Sequence, residues 1–181
     1  MKRTFAALCV ALSLLVLPAC SSTPARRIGM VELRLAPAQA ERRLALAQRL
    51  TIDAHGRQFA VEAMLEVDDT KLELALLRFG QPVARLSWDG RTLNQQRVAA
   101  LPPEVSAERI LSDLQLVMWP MAPLRGALPA DWHLSERDGV RELSQHDELV
   151  ARVRYRSQWD AELENLRDGY RLRIESVPLA E

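Results

Sequence analysis

Cysteine is nearly absent from this 181-residue chain, with only Cys9 and Cys20. Cys9 lies inside an N-terminal apolar run, so a chain cut just before Cys20 keeps one thiol and has no intramolecular disulfide. Net charge is also missing: 24 basic side chains face 24 acidic ones. Without a basic excess there is no face to neutralise a phosphate backbone, which argues against a nucleic-acid partner. Histidine numbers three, His55, His133 and His146, and none has a partner at ligand spacing such as His-Glu-x-x-His. No Gly-x-Ser-x-Gly elbow and no phosphate-binding glycine loop occurs. Ser144, His146, Asp147 and Glu148 gather in "SQHDE", but the surrounding alternation reads as a solvated hairpin end. Asp68-Asp69 and His55-Gly56 read as turns in the same way. These absences leave no constellation for catalysis, so the chain is expected to be non-enzymatic, with no metal and no cofactor.

What is present begins at the N-terminus. Lys2 and Arg3 precede an apolar run from Thr4 to Leu17, shorter than the roughly 20 residues a bilayer demands. A charged head, a short apolar middle and small residues at its end describe a secretory signal over residues 1–19. "LPAC" at its end resembles the bacterial lipobox, with Pro18 at a position more often small or β-branched. That resemblance implies acylation of Cys20, and Ser21 in place of an aspartate implies sorting to the outer membrane, on its periplasmic face. Residues 20–27 then form the acylated cysteine and a polar tether, and 28–181 a single domain.

From Leu44 onward the dominant period is two. Leu44, Leu46, Leu50 and Ile52 share a face, as do Phe59, Val61, Ala63, Leu65 and Val67, opposite Glu62 and Glu66. Leu72, Leu74 and Leu76, then Leu149 to Tyr155, then Tyr170, Leu172 and Ile174 repeat the pattern. One apolar and one charged face is the antiparallel signature. Asp89-Gly90, Asp138-Gly139 and Asp168-Gly169 mark tight turns. After Pro102-Pro103 the period changes, and Ile110, Leu111, Leu114, Val117 and Met118 fall at helical spacing behind Ser106 as N-cap. Pro120 ends that helix, "PMAPLRGALPAD" reads as a loop or broken helix, and residues 37–43 as a short leading helix. The expected fold is α+β, mainly β: a strongly curved antiparallel sheet forming a half-barrel, with the helix and loop across its concave side. Leu46, Leu50, Phe59, Val61, Leu65, Leu72, Leu74, Leu111, Leu114, Met118 and Trp119 would line that concavity, either as a filled core or as the wall of an apolar cavity. Trp88 reads as core, and Trp119 fits either core or cavity mouth.

This layout resembles the outer-membrane lipoprotein receptor family LolB, which shares its half-barrel with the soluble carrier LolA. "LALLRFGQPVARLSWDG" is similar to the family's strand, apolar-tipped loop and returning strand, with Phe79-Gly80 at the tip. "SAERILSDLQLVMWPMAPLRGALP" is similar to its helix, proline loop and Leu-Arg pair, here Leu124-Arg125. The chain also resembles a LolB-like lipoprotein family associated with aryl-polyene biosynthesis. The resemblance implies an acylated or lipid-linked cargo, handed over by a periplasmic carrier or inner-membrane exporter and delivered to the outer membrane. Phe79 either projects from its bend to dip into a bilayer, with Arg78 meeting a phosphate beside it, or folds back onto the core. The alternative function is a solid-cored structural or adaptor lipoprotein with a protein partner.

Overall fold

The computed structural model describes residues 30–97 and 106–179. Cys20, the signal segment and Pro102-Pro103 lie outside the described residues. Five strands come first: β1 (Leu44–Ala54), β2 (Arg57–Val67), β3 (Leu72–Arg78), β4 (Gln81–Trp88) and β5 (Leu93–Arg97). Two helices follow, α1 (Ala107–Met118) and α2 (Met121–Ala127). Five more strands complete the described chain: β6 (Trp132–Arg137), β7 (Val140–Gln145), β8 (Glu148–Tyr155), β9 (Ala161–Asn165) and β10 (Tyr170–Pro178). All ten strands form one antiparallel sheet in the order β5-β4-β3-β2-β1-β10-β9-β8-β7-β6, open at both edges. Two meanders are therefore joined at the centre by β1 and β10, with Leu46 opposite Pro178 and Ala54 opposite Tyr170.

The alternation seen in the sequence is what makes this sheet one-sided. Leu46, Leu65 and Leu74 are cross-strand neighbours on β1, β2 and β3, and all are buried. The opposite face carries Arg49 paired with Glu62 and Glu175, and Arg154 and Arg171 bridged to Glu162 and Glu164. Curvature follows from the helix contacts. α1 touches both β5 and β9, which five strands separate in the sheet. At about 4.8 Å per strand a flat sheet would hold them nearly 29 Å apart, far more than the roughly 10–12 Å width of a helix. The sheet must therefore curl around α1, helped by bulges between Leu76 and Leu77 and between Leu143 and Ser144.

Ser106 caps α1 as expected, accepting from the Arg109 amide at 3.1 Å, and the helix stops before Pro120. Of the loop or broken helix expected over "PMAPLRGALPAD", the structure has the broken helix: α2 resumes after the stop, with Pro120 at its N-cap and Pro123 inside its first turn, where the missing amides cost nothing. One expectation is corrected. Residues 37–43 do not form an α-helix; only a 3-10 turn spans Pro37–Ala40, ended by Glu41 in the left-handed region (φ 57°).

Two polar residues on α1 decide where the N-terminal segment lies. The Leu33 amide donates to Ser112 Oγ (3.0 Å), and the Leu35 amide donates to Gln115 Oε1 (3.0 Å). Gln115 Nε2 returns a bond to the Leu35 carbonyl (2.8 Å), which also accepts from Trp88 Nε1 (2.7 Å). Trp119 Nε1 donates to the Ala36 carbonyl at 3.4 Å. Successive residues of the segment meet successive turns of the helix, so the two run in the same direction. Met30 consequently lies toward the N-terminal end of α1.

Candidate functional site

The hairpin turns divide the molecule into two ends. His55-Gly56, Phe79-Gly80, His146-Asp147 and the β9–β10 turn lie at one; Asp68–Lys71, Asp89–Thr92, Asp138-Gly139 and the β8–β9 turn lie at the other. The N-terminal end of α1 belongs to the Phe79 end, because Arg109 bridges to Asp168 in the β9–β10 turn at 2.9 Å. Its C-terminal end belongs to the other, where Arg141 and Tyr155 hold the carbonyls of Leu116, Val117 and Trp119.

The concave wall is closed beneath α1. Leu46, Leu65, Leu72 and Leu111 have no accessible surface, and Val61, Leu74, Leu114, Met118 and Trp119 are buried with them. Side chains without accessible surface leave no room for water against them, so the wide cavity that this set could have lined is instead packed core. Trp119, like Trp88, pins the N-terminal segment at the end away from Phe79, and it also lines a cleft there with Arg42 and Tyr155. Two clefts, of about 360 Å³ beside Lys71 and Trp159 and about 380 Å³ beside Arg42 and Tyr155, open at that end, away from Phe79.

Toward the Phe79 end the wall emerges from its cover. On β1 burial falls from Leu46 to the half-buried Leu50 and Ile52; on β2 it falls from Leu65 through Val61 to the half-buried Phe59. β10 follows, from buried Ile174 to half-buried Leu172 and Tyr170. Ile52 pairs with both Phe59 and Leu172, so these three form one apolar row across adjacent strands. Leu50 and Phe59 therefore part company with the rest of the expected lining: they reach solvent while the others do not.

Phe79 does not fold back. It is 89% exposed at the tip of a two-residue turn, with φ of 52° at Phe79 and 73° at Gly80. Two successive positive φ values make a type I′ hairpin, ordinarily an Asn-Gly turn. Gly80 adopts this freely, whereas Phe79 carries a bulky side chain in a region that costs a β-carbon about 1–2 kcal/mol. Stability alone would select against phenylalanine here, which points to a use for its ring. The exposed Arg78 guanidinium lies 5.3 Å from the ring centroid.

A polar group at the same end has little sequence signal. Tyr170 donates its hydroxyl to Asp113 Oδ2, linking β10 to α1 in a short hydrogen bond. Asn165 Nδ2 donates to Asp168 Oδ2 (3.1 Å), holding the partner of Arg109. Asp113 was visible only as an acid among apolar helix positions, and its tyrosine partner is 57 residues away. Burial pushes the Asp113 carboxyl up to about 7, against the Tyr170 hydrogen bond and the Arg109 charge, which pull it down. Burial, then the Asp113 charge, pushes the Tyr170 hydroxyl well above its ordinary range.

The ordinary carboxyl value is 3.8, so between it and about 7 the folded protein keeps a proton that the unfolded chain has released. Stability therefore falls as pH rises through that window, and the penalty is complete above it. Asp113→Asn keeps an acceptor for Tyr170 and removes the titration. Its unfolding free energy relative to wild type is expected to improve by about 2 kcal/mol between about pH 5 and about pH 8. Denaturant titrations at both pH values read this directly; parallel pH profiles would show that Asp113 ionises freely.

Among the described residues, no group of His, Cys, Asp and Glu is placed to hold a metal ion, and no helix is long and apolar enough to cross a membrane. His55 and His146 occupy turns at positive φ, as the "SQHDE" and His-Gly patterns suggest. Asp68 accepts from the Thr70 amide, the Thr70 hydroxyl and the Lys71 amide, which lowers its carboxyl to about 2.

Comparison with known proteins gives a family without an activity. Residues 45–178 match the family model described as "Protein of unknown function (DUF3261)". No curated protein matches. Among solved structures, the chain is similar to the crystal structure of a DUF1329 family protein from Desulfovibrio piger, at 10% identity and a TM-score of 0.40. That alignment covers 78% of this chain and 87% of that one.

Proposed function

The chain belongs to the DUF3261 family of proteins of unknown function, and from that premise we propose that it is a non-catalytic, lipid-anchored protein that holds an acyl chain at the open end of its sheet and passes it to the outer membrane. One observation carries the reading: the exposed Phe79, the apolar row Leu172-Ile52-Phe59 and the entry of the N-terminal segment all lie at one end. Cys20 precedes Met30 by ten positions, a leash of at most about 35 Å. An acyl anchor on Cys20 would attach the chain to the bilayer from the side of that end. A fully buried methylene is worth about 0.8 kcal/mol, and one covered on a single side by an open row about half of that, enough over a long chain for a transient hold without an enclosed cavity. The sequence's resemblance to LolB-like receptors supports the reading and implies a periplasmic carrier or an inner-membrane exporter as donor.

Phe79 supplies the exchange step. Its ring would enter the headgroup boundary while Arg78 meets lipid phosphate. In the full lipid-anchored chain, Phe79→Glu is expected to slow exchange of a fluorescent acyl probe between protein and liposome by about tenfold, with Phe79→Leu within about twofold of wild type. Undiminished exchange by a folded Glu variant removes the hairpin from this scheme.

The packed interior beneath α1 favours a second reading, an adaptor lipoprotein whose partner is another envelope protein. Native mass spectrometry of the protein taken from its own envelope separates the two. Co-purified acyl lipid supports the first; a clean apo species that resists loading supports the second.

A further inference from the structure

Two buried polar atoms beside the apolar row have no partner within the protein. Asp113 is 7% exposed, and while its Oδ2 takes the Tyr170 hydroxyl, its Oδ1 accepts nothing. Arg109 gives one terminal nitrogen to Asp168, while its Nη1 is buried and donates to nothing. Buried polar atoms are almost always partnered, so two such atoms on neighbouring side chains are unusual. Arg109 and Asp113 stand four positions apart on α1 and so share a helix face. That face meets the end of β10 at Tyr170, two residues before Leu172 of the apolar row. An acceptor and a donor without hydrogen-bond partners thus share one face of α1, near enough for the Arg109 charge to act on Asp113, at the sheet's Phe79 end.

We propose that Asp113 Oδ1 and Arg109 Nη1 form a head-group subsite, and that it takes an uncharged amide or hydroxyl at the head of the acyl compound held by Leu172, Ile52 and Phe59. The inference rests on the acyl-holding reading above and names the class of compound. An amide offers an N–H to Asp113 and a carbonyl to Arg109; a hydroxyl offers both in one atom. A carboxylate or phosphate has no donor for Asp113 and brings negative charge beside Asp113 and Asp168, with Arg109 alone to offset it. An ammonium can donate to Asp113 but offers Arg109 no acceptor, so that buried donor stays unpaired.

The test uses the full lipid-anchored chain in vesicles, with a long-chain acyl group carrying a diazirine mixed into the bilayer as either its primary amide or its free carboxylate. Mildly alkaline buffer keeps Asp113 ionised. After illumination, mass spectrometry reads labelling on peptides of β1, β2 and β10. The amide is expected to label about tenfold more than the carboxylate, the discrimination typical of an unpaired buried polar group. Asp113→Asn turns the free acceptor into a donor, and the ratio should then fall below one. A wild-type ratio near one overturns the subsite while leaving the acyl-holding reading in place, since both probes still label. No labelling by either probe removes that reading and the subsite with it. The wild-type ratio needs no variant, so a variant that fails to fold leaves the test decisive.

Discussion

Replacing Arg141 by methionine is expected to destabilise the fold by about 3–5 kcal/mol. The side chain is buried on β7, and Nη1 donates to the carbonyls of Leu116 (2.6 Å) and Trp119 (2.9 Å). Its Nε donates to Glu136 at 2.8 Å, and the guanidinium stacks 5.4 Å from the Tyr155 ring centroid. Tyr155 in turn donates to the Val117 carbonyl at 2.7 Å. The last turn of α1 has no basic residue of its own, so β7 and β8 provide the donors its orphan carbonyls require. Methionine matches the aliphatic stem but leaves the Leu116 and Trp119 carbonyls without their donor, while the exposed Glu136 returns to solvent. Arg141→Lys should recover about half of the loss, because one ammonium cannot reach three acceptors in the fork geometry of a guanidinium. Urea midpoints of the three proteins measure this. If methionine and lysine variants unfold with wild type, the carbonyls are satisfied by water and the strand-to-helix bond is incidental.

Leu65→Ala carries the next largest effect, about 3–4 kcal/mol. Leu65 has no accessible surface and sits between Leu46 and Leu74 on the neighbouring strands, under α1. In a packed core its removal loses both transfer energy and the contacts of a void that cannot collapse, since β2 is held on both sides. In a hollow half-barrel the same change would only widen an existing space and cost about 1 kcal/mol. Equilibrium unfolding of Leu65→Ala therefore separates a filled from a hollow interior independently of any ligand. Phe59→Ala, at the half-buried end of the same strand, should cost clearly less than a fully buried phenylalanine.

Much of this architecture is legible in the sequence, for local reasons. Period-two runs such as Leu72-Leu74-Leu76 need no partner to declare which face is apolar, and Asp-Gly and His-Gly pairs mark turns by their own backbone preferences. Ser106 and Pro120 bracket α1 in the same local way. Burial along a face was not legible. Leu46 and Ile52 obey one alternation, yet one is sealed under α1 and the other reaches solvent, because the helix covers only part of the strand's length. Long-range polar partners were equally silent: Gln115 meets Leu35 across 80 positions, and Asp113 meets Tyr170 across 57. The sign of Phe79's exposure also needed coordinates, since a bend next to Gly80 permits either direction.

The pairing of β1 with β10 has a consequence for the timing of folding. β1 pairs with β2 on one side, but its other edge finds a partner only in β10, with Leu46 against Pro178 at the centre of the sheet order. The N-terminal half can form a five-strand meander early, but its β1 edge stays open until the final strand arrives. Closing so long a loop is slow relative to local hairpins. That delay leaves the β1 edge bare in the meantime, with its unpaired amides and carbonyls open to pairing with a second chain.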